Sequence, residues 1–260
     1  MRTLLIISLA LTTAMTAAAN PIGVQVVLLP LNPGTVAGAY GALWSTSAWM
    51  HNGSSDDVRI GCEGDLFACP VVHAHSTVAL QNPWPGSHPA IFVHVHTAGL
   101  FFSVPDNTLW FEMRVTDSVT APGSAGTEIP LARLADFRSG TTVLPHVPIN
   151  GHSRLRLRVY GLTDGSASVR AVGATSSSDL IAVSIPLTGS DSAANRPQRF
   201  PSYGEAVLAP SSGSDDAMRV EITSAAPIWC FLTVTDNATQ QLTTVSPATT
   251  EDVVISVAKE

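Results

Sequence analysis

Apolar and polar positions alternate along most of the chain, in short runs closed by Gly, Pro, Asn, Asp and Ser. The segment Leu155-Arg156-Leu157-Arg158-Val159-Tyr160 is the cleanest case. Successive side chains of a strand point to opposite faces, so Leu155, Leu157 and Val159 turn to a core while the arginines turn to water. Val24 to Leu29, Ile91 to His96, Trp110 to Thr116, Leu180 to Ile185, Met218 to Ile222 and Trp229 to Val234 also read as strands. Helical periodicity is scarce, and one short helix is predicted near Leu131 to Phe137. With 18 Pro and 19 Gly marking turns, the pattern predicts an all-β chain of antiparallel sandwiches. Thr120 to Thr127, Gly189 to Ser202 and Ser211 to Asp216 lack core-forming runs and are expected to be exposed, mobile loops.

The two halves resemble each other locally. Trp110-Phe111-Glu112-Met113-Arg114-Val115-Thr116-Asp117 aligns with Trp229-Cys230-Phe231-Leu232-Thr233-Val234-Thr235-Asp236, and Pro30-Leu31-Asn32 with Pro148-Ile149-Asn150. The near-constant offset predicts a duplicated unit of roughly 115 residues, the size of one immunoglobulin-like sandwich. The expected organisation is a leader at 1–19, one sandwich at 20–147 and a second at 148–260.

The leader follows from Met1-Arg2, the apolar run Leu4 to Leu11, and Ala17-Ala18-Ala19 before Asn20-Pro21, the three regions of a secretory signal peptide. No apolar run reaches the roughly 20 residues of a transmembrane helix. A secreted or periplasmic location is therefore expected. Cys62 and Cys69 flank a turn-like stretch and are expected to form a disulfide in an oxidising compartment. Cys230, between Trp229 and Phe231, reads as a buried free thiol.

Similarity to a known group rests on several stretches. They are Gly38-Ala39-Tyr40-Gly41-Ala42-Leu43-Trp44 with Trp49-Met50-His51-Asn52, and Gly126-Thr127-Glu128-Ile129-Pro130 with Asp136-Phe137-Arg138. Leu157-Arg158-Val159-Tyr160-Gly161 and Val234-Thr235-Asp236-Asn237-Ala238-Thr239-Gln240 complete the set. Through them the chain resembles a group of secreted bacterial proteins with tandem all-β domains. That resemblance implies a secreted, tandem β-sandwich protein and carries no established activity.

Composition narrows the chemistry. Net charge is −7 at pH 7, which argues against nucleic-acid binding. The sole lysine is Lys259, so neither a Schiff-base nor a phosphate-binding lysine is expected. No Gly-x-Ser-x-Gly elbow or Cys-x-x-Cys occurs. Two His-x-His pairs, His73 with His75 and His94 with His96, would oppose each other if their strands formed a hairpin. Four imidazoles in one patch would suit Zn²⁺, Ni²⁺ or Cu²⁺, but no carboxylate near these strands stands ready to orient the rings. The acidic pairs Asp56-Asp57 and Asp215-Asp216 read as solvated turns.

Trp44, Trp49, Trp110 and Trp229 are expected to anchor cores, whereas Trp84, held between Pro83 and Pro85, is the candidate for stacking on a sugar or partner. The stripe Arg154, Arg156 and Arg158 is expected to be a solvated or edge-protecting face. The chain is thus expected to be a non-enzymatic, cofactor-free interaction module for a protein or glycan partner. A carbohydrate-binding module using Trp84 or another exposed Trp, and a metal-binding protein using the four histidines, are the alternatives.

Overall fold

A computed structural model describes residues 24–31, 34–61, 71–80, 88–97, 108–119, 123–192, 198–210 and 215–248. Residues 1–19, expected as a leader, and Cys62, Cys69 and Trp84 lie outside them.

The strands of the described residues, in chain order, begin with β1 (Val24–Leu29), β2 (Gly34–Ala37), β3 (Leu43–Asn52), β4 (Val58–Ile60), β5 (Val71–Val72), β6 (Ser76–Ala79), β7 (Ile91–Thr97), β8 (Leu109–Asp117), β9 (Thr127–Glu128) and β10 (Ala132–Arg133). They continue with β11 (Arg138–Pro148), β12 (Ser153–Gly161), β13 (Gly165–Gly173), β14 (Asp179–Leu187), β15 (Ser202–Leu208), β16 (Ala217–Asp236) and β17 (Leu242–Val245). All pairings are antiparallel. The helix expected at Leu131 to Phe137 reduces to β10 and a single 3-10 turn, Leu134–Asp136. Among the described residues no helix is long and apolar enough to cross a membrane.

The first unit has two sheets, β10-β1-β7-β4-β5 and β2-β3-β8-β9 with β6 beside β3. Val26, Leu28, Phe92 and Val95 of one sheet share a core with Met50, Met113 and Val115 of the other. Asn52, fully buried at the end of β3, ties the sheets together. Its amide donates to the carbonyls of Asp56 and Val72, and its oxygen accepts from Ser54.

The second unit is a single seven-stranded sheet, β14-β13-β16-β12-β15 with β11 and β17 also on β16. It curls round its own core of Leu144, Leu157, Val169, Ile185 and Leu232, and a bridge between Thr188 and Tyr203 draws its ends together. β16 makes the curl possible. Its first part pairs with β11 and β13, and its last part with β12 and β17. The sequence reads here as two strands, Met218 to Ile222 and Trp229 to Val234, with Pro227 between them. A proline is tolerated in a sheet at a bulge, and Pro227 lies where the β11 register shifts between Arg138↔Ile228 and Gly140↔Ser224. β11 pairs with β16 from Arg138 to Pro148 and so belongs to this sheet. The units thus differ in topology, two five-stranded sheets against one of seven strands, although both contain the repeated octapeptide.

The units meet through aromatic rings. Tyr160, Trp229 and Phe231 leave the second sheet on the face away from its own core and join the core of the first unit. The Tyr160 hydroxyl donates to the Pro30 carbonyl at 2.6 Å. The expected mobile loop Gly189 to Ser202 is fixed at both described ends. The Asp191 carboxylate accepts from the backbone N–H groups of Arg199 and Phe200. The Arg199 carbonyl then accepts from Phe92 of β7 at 2.7 Å, and His88 stacks on Phe200 at 3.8 Å.

Candidate ligand-binding face

In the β3–β8 ladder, Trp49 lies opposite Glu112, His51 opposite Trp110, and Ser47 opposite Arg114. On the other side of β3, Thr77 of β6 lies opposite His51. Directly opposed residues of an antiparallel pair share a face. Ala48, Met50, Leu109, Met113 and Val115 are buried in the core, so the alternate residues Trp49, His51, Trp110, Glu112 and Arg114 occupy the outer face. Trp110 is 55 % exposed there, and Trp49, diagonal to it, is half-buried. Trp110 was expected in a core. It shares the phase of Glu112, Arg114 and Thr116, and that phase carries it outward.

The ring is seated rather than loose. His51 lies with its centroid 5.4 Å away, and the His51 Nδ1 is held 2.9 Å from the Thr77 hydroxyl. Beneath the ring is Gly53, where a Cβ would fall 2.1 Å from the Trp110 Cζ3 atom. Only a residue without a side chain leaves that space, and Gly53 is itself fixed by its N–H to the Thr108 carbonyl at 2.8 Å. Beside the rings, Arg114 pairs with Glu112. A flat aromatic surface bordered by hydrogen-bonding groups on a rigid sheet can stack on the C–H face of a ring-shaped polar ligand. The negative π face attracts the electropositive C–H edges, and the border orients the hydroxyls.

The other tryptophans divide differently. Trp229 is buried between the units. Trp44, half-buried, lines a groove and fills the space beside Gly38.

The histidine pairs do not converge. His94 and His96 lie on β7 opposite Val26 and Val24 of β1, and His96 also faces Arg59 of β4. His73 and His75 occupy a tight turn between β5 and β6, with His75 at a left-handed φ of 55°. That turn sends β6 to β3 in the other sheet, so the expected hairpin with β7 does not form. Among the described residues no three His, Cys, Asp or Glu side chains gather as a metal site. The expectation that no carboxylate stands near is also corrected, because Asp57 Oδ2 lies 3.1 Å from His73 Nδ1. The Ala74 N–H and then His73 hold the Asp57 carboxyl below its ordinary value. The His94 Nε2 lies 2.6 Å from the Gln198 carbonyl. Burial, and then His94, pulls His96 below the usual imidazole value.

Arg154, Arg156 and Arg158 are not edge protection, since β12 lies between β15 and β16. Arg156 pairs with Glu205 at 3.3 Å, Arg154 donates to Gln240, and Arg158 lies over Phe231. Cys230 is a buried free thiol whose pKa burial pushes up to about 12. Asp215, expected in a solvated turn, instead accepts from the Ser176 hydroxyl and then from the N–H groups of Thr175 and Ser176, which lower its pKa. No protein family, curated protein or solved structure matches the chain.

Proposed function

We propose that the protein is an exported, non-enzymatic binding module whose ligand is a saccharide stacked on the β3–β8 face at Trp110. The observation that carries this is the seating of an exposed indole over Gly53, beside His51 and on the same face as Trp49. A large apolar ring at 55 % exposure loses the benefit of burial unless a partner covers it. The face favours a pyranose with a continuous C–H surface and equatorial hydroxyls, because such a ring is flat enough to lie against indole. His51, Glu112 and Arg114 would hydrogen-bond its rim.

Export rests on the signal-like residues 1–19, and the two units are taken as immunoglobulin-like sandwiches that hold this face rigid.

A glycan array probed with the full chain and with Trp110→Ala tests the proposal. Retention of neutral pyranose oligomers by the wild type, lost in the variant, is the expected result. Equal retention by both proteins, or none by the wild type, would overturn it.

A further inference from the structure

A second site is carried by different residues. Between the units runs a cavity of about 420 Å³, lined on one side by Arg154, Arg156 and Arg158 of β12 and on the other by Val36 and Ala37 of β2. Among its described lining residues there are three arginines and no carboxylate, in a chain whose net charge is −7. Glu205 stands beside it on Arg156. The arginines alternate along one strand, so their stems repeat at about 6.8 Å. An extended polypeptide repeats alternate side chains at the same interval.

β2 supplies the other half of the site. Among the described residues it is the end strand of its sheet, all four of its residues are exposed, and Val36 is 66 % exposed. Its inner edge pairs with β3. An end strand is a template for one more strand, and natural sheets commonly blunt such edges with charge or proline. β2, Gly-Thr-Val-Ala, has neither.

We infer that this groove binds an extended acidic polypeptide segment, which adds to the outer edge of β2 and presents carboxylates at alternate positions to Arg154, Arg156 and Arg158. Main-chain pairing supplies affinity in strand addition, and alternate side chains supply selectivity. The charge of the groove selects acidic residues, and the strand edge favours a polypeptide over an acidic polysaccharide.

The test uses fluorescence anisotropy with the full chain and a labelled twelve-residue peptide alternating Glu with Val or Thr. A second peptide has the same composition with its Glu residues in one block. Two further versions of the first are N-methylated along one edge or the other. The alternating peptide is expected to bind at least tenfold more tightly than the block peptide. One N-methylated version should lose binding while the other keeps it. The Arg156→Gln/Arg158→Gln protein should bind at least tenfold more weakly with an unchanged Tm. Equal binding of the alternating and block peptides, or equal effects of both methylation patterns, would overturn the inference. So would displacement by polygalacturonate at lower carboxylate concentration than the unlabelled peptide, which would make an acidic glycan the occupant. If the double variant unfolds, the peptide series on the wild-type protein decides.

Discussion

Trp110 and Trp229 hold the same place in two similar octapeptides and meet opposite fates. In the first, Met113 and Val115 take the core phase and the indole goes outward with Glu112 and Arg114. In the second both phases are buried, one in the core of its own sheet and one against the first unit, so Trp229 is covered as well. The outward phase of Trp110 was legible from its charged neighbours, yet an apolar context alone suggests burial. Gly53→Ala should separate seating from stability. The new methyl would collide with the far end of an exposed ring, which can swing away. Thermal stability is expected to change by less than about 1 kcal/mol, while saccharide affinity falls with the displaced indole. Loss of the fold in a thermal melt would contradict this. At Tyr160 the balance reverses, because its hydroxyl is buried on the Pro30 carbonyl. Tyr160→Phe leaves that carbonyl without its donor and should cost about 1–3 kcal/mol in urea unfolding. A cost near zero would remove the hydrogen bond from the interface.

The strands show what a pattern of hydrophobic positions can and cannot specify. Val24–Leu29 appears at the predicted bounds, and β7, β8, β12 and β14 within a few residues of theirs. Alternation is local, so it finds strands well. Pairing is non-local, and there the sequence misleads. Met218 to Ile222 and Trp229 to Val234 read as two strands but run as one through a bulge at Pro227 in β16, and His75 reads as a strand residue but closes a turn. The hairpin that would bring the four histidines together does not form, because β6 pairs with β3 and β7 with β1. Cys230, within β16, supports a pH prediction. Its folded pKa is raised from 9.0 to about 12. Burial raises Tyr160 and Tyr203 in the same direction. A group with a raised folded pKa contributes stability that is complete below its unfolded value and lost as pH climbs to its folded one. Stability should therefore decline from about pH 9 towards pH 12, and Cys230→Ala should make the decline shallower. Identical pH slopes for the two proteins would contradict burial of the thiol.

At the scale of the whole molecule, the two units share a core through Tyr160, Trp229 and Phe231, reinforced by the Arg199 carbonyl on Phe92 of β7. Nothing in the local pattern announces this contact, because a strand buried on both faces looks like any apolar run. The units are expected to unfold in one calorimetric transition with matching calorimetric and van't Hoff enthalpies. Trp229→Ala should cost about 3–5 kcal/mol and split that transition. Two transitions in the wild type would mean that the interface does not couple the units. The central claim is that Trp110 stacks on a saccharide. Saturation-transfer NMR on the wild type, Trp110→Ala and Gly53→Ala, with a neutral pyranose oligomer, tests it most directly. Saturation from the aromatic protons should reach the C–H face of the sugar in the wild type, weaken in Gly53→Ala and vanish in Trp110→Ala. Transfer of equal strength in all three proteins would place the sugar elsewhere and contradict the claim.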